Sequence, residues 1–167
     1  HKKYLSKLNF KNILKVIGGK NRQESTFKAL KKIKKMNCNK VIIHDAARPS
    51  PSRELVNKII YHLKKNHAVI PVIKINDATK RVKKNTIFKN IDRNSLRFSQ
   101  TPQGFTYKKI YNKHQKNINK HFDDDSALFT DDKEKIFTIT GNKKNLKITD
   151  NEDLKIFKSL KSKKTYF

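Results

Sequence analysis

Apolar residues in this chain fall in short dense runs separated by polar stretches. Lys40–His44 carries Val41, Ile42 and Ile43 in succession, and Ala68–Ile75 carries Val69, Ile70, Pro71, Val72 and Ile73. Unbroken runs of that length predict strands buried on both faces. Ile13–Ile17 reads as another short strand, ending at Gly18-Gly19. Helical spacing follows in between. Ser25–Met36 repeats Phe27, Leu30 and Ile33, with Ser25 or Glu24 near its start, and Ser52–Asn66 presents Leu55, Val56, Ile59, Ile60 and Leu63 behind a Pro51-Ser52 opening. Lys80–Lys83 and Thr86–Ile91 flank Lys84-Asn85, which predicts a polar hairpin that stands away from the body. Gln100–Phe105 reads as a loop, Thr106–Asn119 as a helix and Asp124–Phe129 as a short helix. Ile136–Thr140 and Leu146–Ile148 read as strands around Gly141-Asn142, before a last helix over Asp150–Leu160 with Leu154, Phe157 and Leu160 inward. Strand–helix alternation of this kind predicts one α/β domain built on a mostly parallel sheet.

Charge changes the picture less than its size suggests. The 167 residues hold 41 Lys and Arg against 14 Asp and Glu, a formal net charge of +27. Such an excess is the usual first sign of a nucleic-acid partner. Here the lysines are spread along the whole chain among many Asn and Ile, without an Arg-rich tail or the aromatic-basic interleaving of single-strand binders. A solvated lysine surface is the expectation, with no nucleic acid as partner and no membrane. The single cysteine, Cys38, rules out an intramolecular disulfide and a cysteine-built zinc site. No apolar stretch is long enough to cross a bilayer and no signal peptide is visible, so a cytoplasmic location is expected. The chain begins at His1 and its one methionine is Met36, from which a segment upstream is expected.

Ligands of α/β folds sit beyond the carboxyl ends of the strands, which directs attention to His44-Asp45-Ala46-Ala47-Arg48-Pro49. Asp45 stands where a buried strand ends, a place suited to a carboxylate that holds a divalent metal against phosphates. Ala46 and Ala47 keep the turn small enough for a ligand to lie on the backbone, and the Arg48 guanidinium could fork onto a phosphate. The same residues could also form a plain turn in which Asp45 caps a helix and pairs with Arg48. Ser25 could be no more than a helix cap. Gly18-Gly19 could be an ordinary turn and Thr101 simple loop chemistry before Pro102. Asp123–Asp125 lacks the ligand spacing of a calcium loop.

The hexapeptide resembles a signature of the 2-C-methyl-D-erythritol 4-phosphate cytidylyltransferase family, and further blocks follow in that family's order. Gly18-Gly19-Lys20-Asn21-Arg22-Gln23-Glu24-Ser25 resembles its glycine pair followed by arginine and serine, and Asp77-Ala78-Thr79-Lys80-Arg81 the start of its dimerisation arm. Asp92-Arg93-Asn94 lies in the returning strand, and Thr101-Pro102-Gln103-Gly104-Phe105 is similar to a family loop. Asp123-Asp124-Asp125-Ser126-Ala127 and Asn145-Leu146-Lys147-Ile148-Thr149 complete the set, which covers nearly the whole chain. The resemblance implies a Rossmann-like nucleotidyltransferase sheet with a protruding β-hairpin arm over about residues 77–96, and a homodimer joined through that arm. It implies transfer of a cytidylyl group from CTP to the sugar phosphate, with Mg²⁺ as cofactor. Gly19, Ser25, Asp45 and Ala46 would meet the nucleotide, with Asp45 also at the metal. Arg48 and Lys147 would act on the phosphates, and Thr101, Asp77 and a mate's Arg93 would meet the polyol phosphate. No general base is expected, since the phosphate nucleophile is already ionised.

The family's opening glycine-rich loop has no counterpart in His1–Ile17, so residues 1–167 are expected to be part of a cytidylyltransferase domain and inactive alone. Ala78 and Phe122 replace threonines usual in the family, and Lys144 stands where some members carry an acidic residue. A cytidylyltransferase for another polyol phosphate, such as ribitol 5-phosphate, stays open at this point. So do a basic nucleic-acid-binding module, a non-catalytic dimer partner and a cyclase domain fused downstream.

Overall fold

A computed structural model of the chain describes residues 12–130 and 135–162. The elements begin with α1 (Arg22–Lys32), β1 (Lys40–Ile43), α2 (Arg53–His62) and β2 (Ala68–Lys74). A hairpin of β3 (Thr79–Lys83) and β4 (Thr86–Ile91) is followed by β5 (Arg97–Ser99), β6 (Gln103–Thr106) and α3 (Tyr107–Lys116). After a 3₁₀ turn over Ser126–Phe129 come β7 (Phe137–Thr140) and α4 (Asn151–Ser162).

The main sheet is mixed, which corrects the expectation of a mostly parallel one. Among the described residues β6 runs antiparallel to both β1 and β2, β5 runs antiparallel to β2, and only β7 pairs in parallel, on β2. Val69 pairs with Gly104 on one edge and Phe137 on the other, and Val72 pairs with Ser99 and Thr140 in the same way. β5 and β6 are therefore two halves of one interrupted strand lying against a single edge of β2. β1, β2 and β7 all point one way, and β6 enters between β1 and β2 against them. Apolar runs report burial on both faces, and burial is indifferent to strand direction. The Gln100–Phe105 stretch, expected as a loop, is half break and half strand for the same reason: its buried Gln103 and Gly104 carry no apolar signal.

Side chains alternate across β2 as the pleat requires. Ala68 and Ile70 join Leu30, Phe105, Ile110, Leu128 and Phe129 in a core beneath α1 and α3. Val69 joins Ile139 and the Leu55, Ile59 and Leu63 stripe of α2 on the opposite face. The result is a layer of helices on each side of the sheet. Gly104 makes the second contact possible, because a Cβ there would overlap Ile59 and Leu63. Ile60, expected on the buried face of α2, lies 46% exposed at its margin.

Helix starts follow side-chain chemistry. Ser52 accepts a hydrogen bond from the Leu55 backbone at 3.1 Å and so caps α2. The first helix is capped by Asn21, whose Oδ1 accepts from the Glu24 backbone at 2.8 Å, so it begins before the expected Ser25. Lys84 and Asn85 both have positive φ, 45° and 63°, the backbone that a two-residue hairpin turn demands. Two expected strands do not form. Among the described residues Ile13–Ile17 has no strand partner, with Ile13, Leu14 and Ile17 each more than half exposed, and Leu146–Ile148 is irregular. Among the described residues no helix is long and apolar enough to cross a membrane.

Candidate active site

Three loops meet at one end of the sheet. The turn after β1 supplies residues 45–48, the break between β5 and β6 supplies 100–102, and the segment after β7 supplies 142–148. Buried Asn145 ties them together. Its Nδ2 donates to the Thr101 carbonyl at 2.7 Å, and its own carbonyl accepts from Arg48 Nη1 at 2.8 Å. The Ile148 backbone donates to the Ala47 carbonyl at 2.8 Å. Gln100 closes the third side, with Nε2 donating to the Asn142 carbonyl and Oε1 accepting from the Asn142 backbone, both at 3.0 Å. The segment holding Lys147 is irregular, tied to its neighbours by the Asn145 bonds and the single Ile148–Ala47 backbone bond.

Asp45 stands at the centre. Its Oδ1 accepts from Arg22 Nε at 3.0 Å, and its Oδ2 lies 3.4 Å from Lys147 Nζ. Burial would raise the Asp45 carboxyl, but the bond and charge of Arg22 and the charge of Lys147 outweigh it and hold the group below its ordinary value. Arg48 is half-buried beside it; burial pulls its guanidinium down while the Asp45 charge opposes that. Arg48, Lys147 and Arg22, the last shared with the buried Asp125, thus converge on Asp45 at a partly open surface at the carboxyl ends of β1 and β7. That excess of positive charge suits a polyphosphate. The opposing reading, a turn closed by an Asp45–Arg48 pair, does not describe the contacts: Arg48 bonds the Asn145 carbonyl, and Asp45 pairs with Arg22 and Lys147.

Thr101 is buried and its hydroxyl is fully engaged. Oγ1 accepts from the Asp45 backbone at 3.0 Å and lies 3.1 Å from His44 Nδ1. The Arg48 carbonyl, 2.8 Å from His44 Nε2, can only accept. The donors therefore run in one direction, from Asp45 N–H to Thr101, from Thr101 O–H to His44 Nδ1, and from His44 Nε2–H to Arg48. Thr101 in this state orients the Asp45 turn and keeps no proton for a ligand.

Gly19 and Ser25 meet each other. The Gly19 N–H donates to Ser25 Oγ at 2.9 Å, and that hydroxyl donates to the Asn21 carbonyl at 2.8 Å. Ala46 is exposed on the turn. Asp77 and Arg93 lie exposed at the base of the β3–β4 arm, where Arg93 donates to the Asn76 carbonyl. Among the described residues no hydrogen bond or ion pair links them to the Asp45 cluster. Arg22 is the site residue that sequence reasoning missed. Its only signal was its place between Gly18-Gly19 and Ser25.

Among the described residues no three His, Cys, Asp or Glu side chains gather as a metal cage. One ionised carboxylate at a cationic mouth is nonetheless the donor set that Mg²⁺ uses when phosphates and waters supply the rest of its shell. Asp45 fits an ion that arrives with a nucleotide.

A family model described as IspD: 2-C-methyl-D-erythritol 4-phosphate cytidylyltransferase matches residues 1–160. The chain is 46% identical over 155 residues to a bifunctional enzyme IspD/IspF of Pelagibacter ubique, covering 93% of this chain and 41% of that protein. It is 38% identical over 154 residues to a 2-C-methyl-D-erythritol 4-phosphate cytidylyltransferase of Clostridioides difficile, covering 91% and 65%. It thus spans less than two thirds of either relative's length. The crystal structure of a 4-diphosphocytidyl-2C-methyl-D-erythritol synthase from Anaerococcus prevotii superposes with a TM-score of 0.83 at 34% identity, over 96% of this chain and 75% of that one. With matches of this extent in sequence and in fold, the chain belongs to the 2-C-methyl-D-erythritol 4-phosphate cytidylyltransferase family.

Proposed function

We propose that the intact protein transfers a cytidylyl group from CTP to 2-C-methyl-D-erythritol 4-phosphate, in the non-mevalonate route to isoprenoids, and releases pyrophosphate. The observation that carries this reading is the cationic ring of Arg22, Arg48 and Lys147 around one ionised carboxylate, Asp45, at the carboxyl ends of β1 and β7. An oxygen of the sugar phosphate attacks the α-phosphorus of CTP, forming the new P–O bond. The bond from that phosphorus to the bridging oxygen breaks, and its electron pair leaves with pyrophosphate. The protein's task is then to align two anions and to offset charge on the phosphoryl oxygens. Lys147 and Arg48 do this at the phosphates. Asp45 would hold Mg²⁺, which when bound offsets negative charge on the phosphate oxygens. The loop of Gly19, held by Ser25, offers its backbone to the base, and Ala46 leaves room for the ribose.

The arm supports a homodimer. β3 and β4 form a sheet of two strands without a buried residue, and Val82, Ile87 and Phe88 are each more than half exposed. A hairpin of that kind is marginal unless something packs on it. A second copy would cover these residues and carry its Arg93 and Asp77 to the polyol phosphate. A cytoplasmic location is in keeping with the absence of a membrane-crossing helix among the described residues.

The test is product analysis by ³¹P NMR on the intact protein with CTP, Mg²⁺ and either methylerythritol phosphate or ribitol 5-phosphate. A cytidine diphosphate ester of the first, with pyrophosphate, is expected. Preference for ribitol phosphate would move the assignment to another cytidylyltransferase, and no transfer to either would overturn it.

A further inference from the structure

We propose that Arg22 is the positioning residue of this site, clamping Asp45 to a buried Asp125–His114 anchor that never meets substrate. The proposal rests on the reading that Asp45 works at the phosphates. It begins from a chain of contacts that crosses three elements. Arg22, in the first turn of α1, sends Nε to Asp45 Oδ1 at 3.0 Å and forms a second ion pair from Nη1 to Asp125 Oδ2 at 2.8 Å. Asp125, just before the 3₁₀ turn, accepts at Oδ1 from His114 Nε2 of α3 at 2.9 Å. His114 stacks on Phe27 of α1, their planes 7° apart and centroids 5.8 Å apart.

Burial separates the roles along this chain. His114 and Asp125 side chains are each 1% exposed, Asp45 is 16% and Arg22 is 32%. The inner pair therefore cannot touch a ligand, and the outer carboxylate can. A guanidinium is planar and presents separate nitrogens at fixed angles, so anchoring one nitrogen orients the other. Asp125 is fixed from two sides, by Arg22 and by His114, and the orientation passes outward to Asp45 Oδ1. Oδ2 is then left on the side of Lys147.

A buried ion pair is poor evidence of stabilisation, since desolvation cancels much of its attraction. An apolar contact between α1, α3 and the 3₁₀ turn would join these elements as well. Placing a carboxylate at a phosphate site needs direction, which packing alone does not provide. Arg22→Lys keeps the charge but cannot span both carboxylates.

The experiment uses the intact protein, with Asp125→Asn and Arg22→Lys beside the unaltered form. Three readings are taken: exchange protection of the Arg22 Nε proton by NMR, the split between kcat and KM for CTP, and the melting temperature. The expected result is loss of Arg22 Nε protection in Asp125→Asn. With it, kcat falls about 10-fold or more in both variants while KM for CTP changes less than about 3-fold. Unchanged protection in Asp125→Asn overturns the proposal, as does a fall in melting temperature with kcat intact. If Asp125→Asn fails to fold, Arg22→Lys decides by its kcat and KM alone, and an unchanged kcat there overturns the clamp. If the unaltered protein transfers no cytidylyl group, the functional reading fails, while Nε protection still reports on the clamp.

Discussion

At Asp45 burial and neighbouring charge pull in opposite directions, and the neighbours prevail. Asp45→Asn keeps the shape and removes the charge, so kcat/KM in the intact protein is expected to fall about 100-fold, measured by pyrophosphate release. A loss below about 3-fold would remove Asp45 from the chemistry. Asp124 does a different job with the same side chain. Burial would raise its carboxyl, but hydrogen bonds from Ser126, Ser99, Gln103 and the Ala127 backbone hold it below its ordinary value of 3.8. A depressed folded-state value means that the stabilisation is fully present above the unfolded-state value and is lost as pH falls through the folded one. Asp124→Asn should therefore cost about 1–3 kcal/mol near neutral pH. The difference in melting temperature should shrink as pH drops below 3.8; a constant gap would contradict this. Asp45 and Arg48 stood out in the sequence because they sit in a short motif at the end of β1, whereas Lys147 was singled out only through the resemblance of residues 145–149 to a family motif. Arg22 was not, since its partners lie 23 and 103 residues away and only the fold joins them. The inward turn of the Thr101 and Ser25 hydroxyls was equally hidden, because a hydroxyl can donate to a ligand or to its own loop and the letters are the same.

Among the elements, the buried strands β1 and β2, the four α-helices and the hairpin were readable, since each has a pattern of its own. What periodicity does not contain is direction and partner choice. Gln103-Gly104-Phe105 sits between β1 and β2 and reverses the sheet there, and nothing about a Gln-Gly pair announces a central strand. Ile13–Ile17 shows the converse, an apolar run that no neighbouring strand in the described residues pairs with. Gly104 now carries a definite expectation. Gly104→Ala drives a methyl into Ile59 and Leu63, and overpacking of that kind costs about 1–3 kcal/mol. Chemical denaturation should show the loss in midpoint with an unchanged slope; no loss would mean that α2 lifts freely from the sheet.

For the whole molecule, a charge of +27 spread along the chain fits a solvated lysine surface, and the converging loops point to an enzyme rather than a basic nucleic-acid module. The two differ in salt dependence, since duplex binding through phosphates weakens steeply as salt rises. The arm adds an expectation about assembly: Ile87→Asp and Phe88→Asp should convert a dimer into monomers by light scattering. A dimer unaffected by both would place the interface elsewhere. The most direct measurement of the central claim follows ³¹P resonances while the intact protein is mixed with CTP, Mg²⁺ and methylerythritol phosphate, with and without Asp45→Asn. Appearance of pyrophosphate and a cytidylylated diphosphate, nearly abolished in the variant, is the expected result; CTP left untouched by the unaltered protein would contradict the account.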